Sequence, residues 1–344
     1  MQSTAHERRA QPRGADRSRT QPPGGVRVVV RLAGALLVAT MLGACAMQDP
    51  AGTGVAAGSP AADALPLPAA ARTADFVLFG ELHDNVAQHR LRLRWLEELA
   101  DVHPFALALE QFDADRQDSL DRARADDARA AHSASTADAA SRARRIAEAA
   151  GFDFGGWDWD LYRPVIEFAL RRGLPLVAAN LSPADTARVT QQRAPAAPPP
   201  GGWDDDDSEA MRESIREGHC GLLSERAVEA MAAAQRTRDA RIAQALLDAH
   251  ARTGLPVVLL AGNGHLRRDI GVPRHLSALR PGARIASIAL LERTPGSAQG
   301  GAQDGHRLEA GPSGSDRALF DLVVRTPAQS REDPCVKLRQ RLRR

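Results

Sequence analysis

Aromatic residues make up only 4% of this 344-residue chain, and it holds a single tyrosine, Tyr162. Its formal net charge is just +2. With no basic stripe interleaved with aromatics, nucleic-acid binding has no support. There is no Gly-x-Ser-x-Gly elbow, no Gly-x-x-x-x-Gly-Lys-Ser/Thr loop and no His-Glu-x-x-His helix, which removes the commonest serine-hydrolase, nucleotide-binding and zinc-helix signatures. The acidic run Asp204–Asp207 lacks the alternating ligands and invariant glycine of an EF-hand loop. It reads instead as negative charge at the start of a following helix. No internal repeat is present. The uncharged stretch near the amino terminus, Leu32–Ala44, has thirteen residues. That is too few to span a bilayer but suits the core of a signal peptide.

That stretch ends Leu42-Gly43-Ala44-Cys45, which resembles a bacterial lipobox. The rival is an ordinary secretory signal with a chance cysteine. On the lipobox reading residues 1–44 are a lipoprotein signal peptide and Cys45 is the lipidated first residue of the mature protein. The Ala-, Gly- and Pro-rich residues 45–72 are then a flexible tether. Ala46, where an aspartate would favour inner-membrane retention, points to the outer membrane of a Gram-negative envelope. Removing Cys45 leaves two cysteines, Cys220 and Cys335. In an oxidising compartment such a pair is most economically a disulfide tying the tail, residues 326–344, to the middle of the chain. Thiolate metal ligation is the alternative.

Between tether and tail, residues 73–325 read as one α/β domain. Short apolar runs predict strands over 75–80, 105–109, 176–179, 257–261, 285–291 and 319–324. Helical patterns intervene at 86–100, across 113–150 with a break near 134–136, at 162–172, at 208–217 and over the long stretch 224–251. This order predicts a central, largely parallel sheet flanked by helices, with an added helical subdomain.

Two of the strands end alike. Phe79-Gly80-Glu81-Leu82-His83 and Ala261-Gly262-Asn263-Gly264-His265 both carry Gly-x-x-His. The glycine is expected to let the chain turn at the strand end and deliver the histidine beyond it. Ligands of open α/β sheets bind outside the carboxyl ends of the strands. Glu81, His83, Glu110, Asn180 and His265, all at proposed strand ends, are therefore expected to converge. Two imidazoles with carboxylates suit zinc or iron, and serve equally as general acid and base without a metal. Gln235 and Asp239, four apart on the long helix, share a face and are expected to support this site. Arg238 and Arg241 belong to the same rim or are merely solvated.

Several of these stretches resemble one family in order. Phe79–Asp84, Leu109–Phe112, Trp159–Pro164, Ala178–Leu181, His219–Gly221, Gln235–Asp239 and Ala261–His265 look like the ChaN family of bacterial haem-binding lipoproteins. That family belongs to a wider grouping with Tiki, TraB/PrgY and erythromycin-esterase-like proteins. The similarity spans roughly residues 73–291, and Asp333-Pro334-Cys335 resembles the family's tail. The resemblance implies haem binding linked to iron uptake, with precedent for paired haems at a dimer interface and for tyrosine ligation. As the one tyrosine, Tyr162 is the axial ligand this implies, with His83 and His265 as further cofactor ligands. The expected haem site is an apolar cleft large enough for a porphyrin. In the Tiki branch the paired motifs belong to a metal-dependent protease, and in the esterase branch a histidine is the base. The alternative is therefore a hydrolase in which Glu81 or Glu110 is the base and His83 and His265 bind metal or polarise the substrate.

Overall fold

The structure, a computed structural model, describes residues 65–132, 138–293 and 319–342. The expected signal peptide, Cys45 and most of the expected tether lie outside the described residues. Among the described residues six strands form one sheet: β1 (Phe76–Glu81), β2 (Ala106–Asp113), β3 (Leu176–Asn180), β4 (Val257–Gly262), β5 (Ile285–Glu292) and β6 (Leu322–Thr326), in the spatial order 3-2-4-1-5-6. Every pairing is parallel. The largely parallel sheet read from the strand–helix alternation is thus wholly parallel.

Such a sheet is covered on both faces, so its strands run apolar without alternation. In β1 every residue is buried, and successive side chains enter opposite cores. Val77 and Phe79 pack toward one layer, Phe76 and Leu78 toward the other. The first layer contains α1 (Val86–Val102), α3 (Ala139–Ala149) and α4 (Trp159–Arg171), with α2 (Gln117–His132) beside them. The second is built on α7 (Glu225–Thr253) and α8 (Val272–Leu279). Two further helices, α5 (Pro183–Thr190) and α6 (Asp205–Gly218), complete the added helical part. There Met211, Ala232 and Ile270 form a separate small core. Among the described residues no helix is long and apolar enough to cross a membrane.

Local signals explain most boundaries. Asn85 caps α1, accepting from the Gln88 amide at 3.0 Å, and Ser224 caps α7. Asp204 and Asp207 form a capping box on α6, which confirms the acidic run as a helix start. Gly254, at φ 68°, ends α7 in the left-handed conformation.

One boundary shifts. The chain is already packed by Leu65: Leu65, Leu67 and Ala71 are buried, and the Trp95 indole donates to the Leu65 carbonyl at 3.0 Å. Residues 65–72 therefore belong to the domain and not to a tether. At the other end Cys335 is bonded to Cys220, with their Cα atoms 5.7 Å apart. The tail that follows is α9 (Pro334–Leu342), which buries no residue.

Candidate functional site

The carboxyl ends of β1, β2 and β4 lie side by side, and they bring Glu81, Glu110 and Gly262 together; Glu81 is in register with Gly262. β2 contributes through an irregularity: its register with β3 shifts between Leu109 and Asp113. Such bulges re-aim side chains, and this one spans Glu110 and Gln111.

The glycines of the two Gly-x-x-His motifs do not work as turn residues, contrary to the sequence expectation. Both lie inside strands, and neither has a positive φ. Each is needed for close approach instead. A Cβ on Gly80 would collide with the side-chain oxygen of Asn263. A Cβ on Gly262 would sit 3.0 Å from Cε1 and Nε2 of His83. Each motif's glycine thus makes room for a side chain of the other. Asn263 uses that room to donate to the Glu81 and Leu290 carbonyls, at 3.0 and 2.7 Å, and to accept from the Leu290 amide at 3.0 Å. It thereby bridges the ends of β1 and β5.

The site has two compartments. In the first, Glu81 is fully buried and accepts from Tyr162 Oη at 2.5 Å and from His83 Nδ1 at 2.6 Å. Gln111 Nε2 lies 3.4 Å from the same oxygen, and Arg92, also fully buried, is ion-paired with the other. Burial alone would raise the Glu81 pKa, but the Arg92 guanidinium and the His83 hydrogen bond override it and hold the carboxyl far below its usual range. Arg92 also donates to Nδ1 of His89 at 2.9 Å, while His89 Nε2 donates to the His83 carbonyl at 3.0 Å. Burial and the adjacent guanidinium drop the His89 pKa to about 4, so that ring is neutral.

His83 is the accessible member: its side chain is 42% exposed. Burial opposes its charge, but the Glu81 hydrogen bond and the Glu110 carboxylate outweigh that and raise its pKa. Its ring meets Trp157 edge-on at 4.7 Å. With Nδ1 on Glu81, Nε2 makes no hydrogen bond among the described residues.

In the second compartment His265 is buried between carboxylates. Nδ1 is 2.5 Å from Asp239 Oδ1, with the Gln235 amide 3.0 Å away, and Nε2 is 3.3 Å from Glu110 Oε1. The other Glu110 oxygen accepts the Gly262 amide at 2.7 Å. Burial works against the imidazolium, yet the two carboxylates raise its pKa to about 10. Burial raises Glu110 and Asp239 in turn; the cation and the Gly262 amide bring Glu110 down to about 2, while Asp239 stays raised at about 6. This is a buried charge clamp tying α7 to β2 and β4.

These positions bear on the ligand roles expected of each residue. His265 has both ring nitrogens occupied, Nδ1 by Asp239 and Gln235 and Nε2 by Glu110, and so presents neither to a ligand in this arrangement. Tyr162 is fully buried, donates to Glu81, and has its pKa raised by burial and by that carboxylate. In this arrangement its hydroxyl is committed to Glu81 and is not presented to a ligand. Asn180 accepts from the next amide, Leu181, at 2.8 Å and bonds to none of the four central residues. Among the described residues no three His, Cys, Asp or Glu side chains are grouped to hold a metal ion, so Glu81, His83, Glu110 and His265 do not form a zinc- or iron-type cluster. Glu81 is engaged by Tyr162, His83, Gln111 and Arg92, whereas Glu110, among the described residues, accepts only from His265 and the Gly262 amide. The apolar cavity beside the site, between α1 and α4, is lined by Val86, His89, Leu93, Leu161, Pro164 and Val165 among others. It measures about 180 Å³, below the roughly 300 Å³ at which small-molecule pockets begin. An enclosed porphyrin cleft is absent there.

Sequence reasoning missed Arg92. The signal was available: Arg92 lies on the inner stripe of α1 with Gln88, Leu91, Trp95 and Leu99, and a charge on an apolar stripe demands a buried partner.

A three-layer α/β domain with a polar site at the crest of a parallel sheet is a binding or catalytic scaffold. The chain belongs to the haem-binding uptake family, Tiki superfamily, ChaN, whose family model matches residues 67–276. Among solved structures, the one described as cofacial heme binding to ChaN of Campylobacter jejuni is 21% identical, with 64% of this chain and 82% of that chain covered and a TM-score of 0.54; it shares the fold. An erythromycin esterase mutant in its open conformation aligns at 15% identity over 65% of this chain and 74% of that one, with a TM-score of 0.37. No curated protein matches the chain in sequence.

Proposed function

We propose that this chain binds haem in the bacterial envelope, anchored through lipid on Cys45 and serving haem or iron uptake, with His83 as the side chain offered to iron. The observation that carries this is the state of His83: a half-exposed imidazole whose Nδ1 is held by a buried carboxylate and whose Nε2 makes no hydrogen bond among the described residues. Metal-ligating histidines are oriented in this way by a carboxylate on the other ring nitrogen, and histidine is a common ligand of haem iron. When bound, haem would supply the iron centre and a broad apolar plane. Glu81 fixes the His83 tautomer, and Arg92, Tyr162 and Gln111 fix Glu81. Phe154, Trp157 and Trp159, partly buried beside the site, offer apolar surface to a flat ligand. Since the neighbouring cavity is small, the ligand rests on the open rim, where a second copy of the chain would cover its outer face.

The test is a hemin titration of protein beginning at residue 46, followed by absorbance, with bound metals assayed in the same preparation. A saturable Soret shift that is lost in His83→Ala, with the fold intact, is the expected result. No shift in the wild-type protein overturns the haem reading. Stoichiometric zinc or iron lost in His83→Ala, together with ester or peptide turnover, would establish the hydrolase alternative instead.

A further inference from the structure

The segment that carries His83 is held from outside by a part of the chain the site chemistry does not use. β1 ends at Glu81 and α1 begins at Val86, so His83 rides on residues 82–85. The Leu82 amide donates to Gln88 Oε1 at 2.6 Å, and Gln88 Nε2 donates to Thr326 Oγ1 at 2.9 Å. Asn85 Nδ2 donates to Glu292 Oε1 at 2.6 Å and to the Pro327 carbonyl at 3.0 Å. Arg331 closes the ring of contacts: its Nε donates to Asp84 Oδ2 at 2.7 Å, and its Nη1 and Nη2 to Glu292 at 2.8 and 2.6 Å. The Gln329 amide adds a bond to Glu292 at 2.8 Å.

Residues 326–335 thus cross the His83 segment as a strap. Its near end is fixed in the sheet by β6 and its far end by the Cys220–Cys335 bond. Since α9 buries no residue, apolar packing does not hold the far end; the cross-link does. The strap lies beyond residues 67–276, the span of the family match. Exposed ion pairs of the Arg331–Asp84 kind contribute little to stability, which leaves geometry as their effect.

We propose that this strap positions His83, with Arg331 as the positioning residue and the Cys220–Cys335 disulfide as its lock, so that opening the disulfide weakens the site. Exchange with a dithiol reductant breaks the S–S bond, leaves Cys220 and Cys335 as thiols, and converts the reductant to its own disulfide. The affinity arm of the test rests on the haem reading above; the dynamics arm does not.

The experiment compares the full chain with Arg331→Ala, Arg331→Lys and the double variant Cys220→Ser/Cys335→Ser, by amide hydrogen exchange and by hemin titration. The serine pair avoids adding a reductant that would act on ferric haem. Arg331→Ala and the double variant should speed exchange across residues 82–88 and weaken hemin binding by roughly tenfold, the lower end of what loss of an outer-shell partner costs. Both should move the Soret maximum, and Arg331→Lys should recover part of each effect. Unchanged exchange at 82–88 in both variants overturns the strap. Faster exchange with unaltered hemin affinity overturns the positioning role. Faster exchange in a protein whose wild type binds no hemin leaves the strap standing and removes the haem reading alone.

Discussion

Arg92→Met tests the reasoning about the buried centre. Arg92 and Glu81 are both completely buried and ion-paired. Removing one member of such a pair strands the other's charge, which costs about 3–5 kcal/mol. Glu81 keeps the Tyr162 and His83 hydrogen bonds, which pulls the loss toward the lower end. His89 Nδ1, however, loses its donor, and an orphaned buried acceptor adds about 1–3 kcal/mol. We expect about 4–5 kcal/mol at pH 7, read by urea denaturation. At about 2–4 °C per kcal/mol for a domain of this size, melting should fall by roughly 8–20 °C. The sign of the pH dependence is the sharper check. In the wild type the Glu81 pKa is depressed, so its contribution is present above the ordinary value of 4.5 and is lost only as pH falls through the lower folded value. Without Arg92, burial takes over and raises the Glu81 pKa. The stranded carboxylate then takes up a proton on mild acidification, and the deficit against wild type should shrink between pH 7 and pH 5. Arg92→Met/Glu81→Gln should recover much of the loss. A cost below about 1 kcal/mol, or one independent of pH, would refute the account of this pair as the electrostatic anchor of His83.

Three further outcomes follow from the same geometry. Tyr162→Phe removes one of several donors to Glu81 and should cost about 1 kcal/mol, while leaving any Soret band in place; loss of the band would restore tyrosine as the ligand. His265, with its pKa raised from 6.5 to about 10, contributes stability that is complete below pH 6.5 and is lost as pH rises through about 10. Stability should fall across that window by at most about 1.4 kcal/mol per pH unit, and His265→Gln should flatten the slope in urea titrations. Gly80→Ala, which drives a methyl into Asn263, should cost about 1–3 kcal/mol. Gly262→Ala, whose methyl is crowded by the half-exposed His83 ring and is in ordinary contact with Glu110, should spare stability and weaken hemin binding; equal stability losses in the two would refute the division of roles.

Much of the fold was legible because a doubly covered parallel sheet writes itself as apolar runs. Each expected strand lies within a few residues of an observed one. The misses follow from weaker signals. The eight residues of α5 and of α8 span little more than two turns each, too short for a helical period to stand out, although Ser182 followed by Pro183 marked the first of them. The α9 helix buries nothing, so no apolar stripe announced it. Residues 65–72 were read as tether from their composition. Composition does not reveal that Leu65 and Leu67 find a surface on α1, a contact made across about thirty positions of sequence.

For the site, the convergence of strand ends was legible and the division of labour was not. Topology alone places the ends of β1, β2 and β4 together, whatever their side chains do. Which histidine is offered to a ligand depends on what surrounds each ring, and the two motifs give opposite answers. His265 lies under α7, where Gln235 and Asp239 close over Nδ1 while Glu110 takes Nε2. His83 stands on the open side, with one carboxylate behind it and, among the described residues, nothing bonded to Nε2. The glycines carry the same lesson. Spacing suggested two independent turns, whereas the structure has two strand ends that fit only together, Gly80 admitting Asn263 and Gly262 admitting the ring of His83. A substitution at either glycine is therefore felt at the other motif. That is why the pair of motifs, and neither one alone, defines the site.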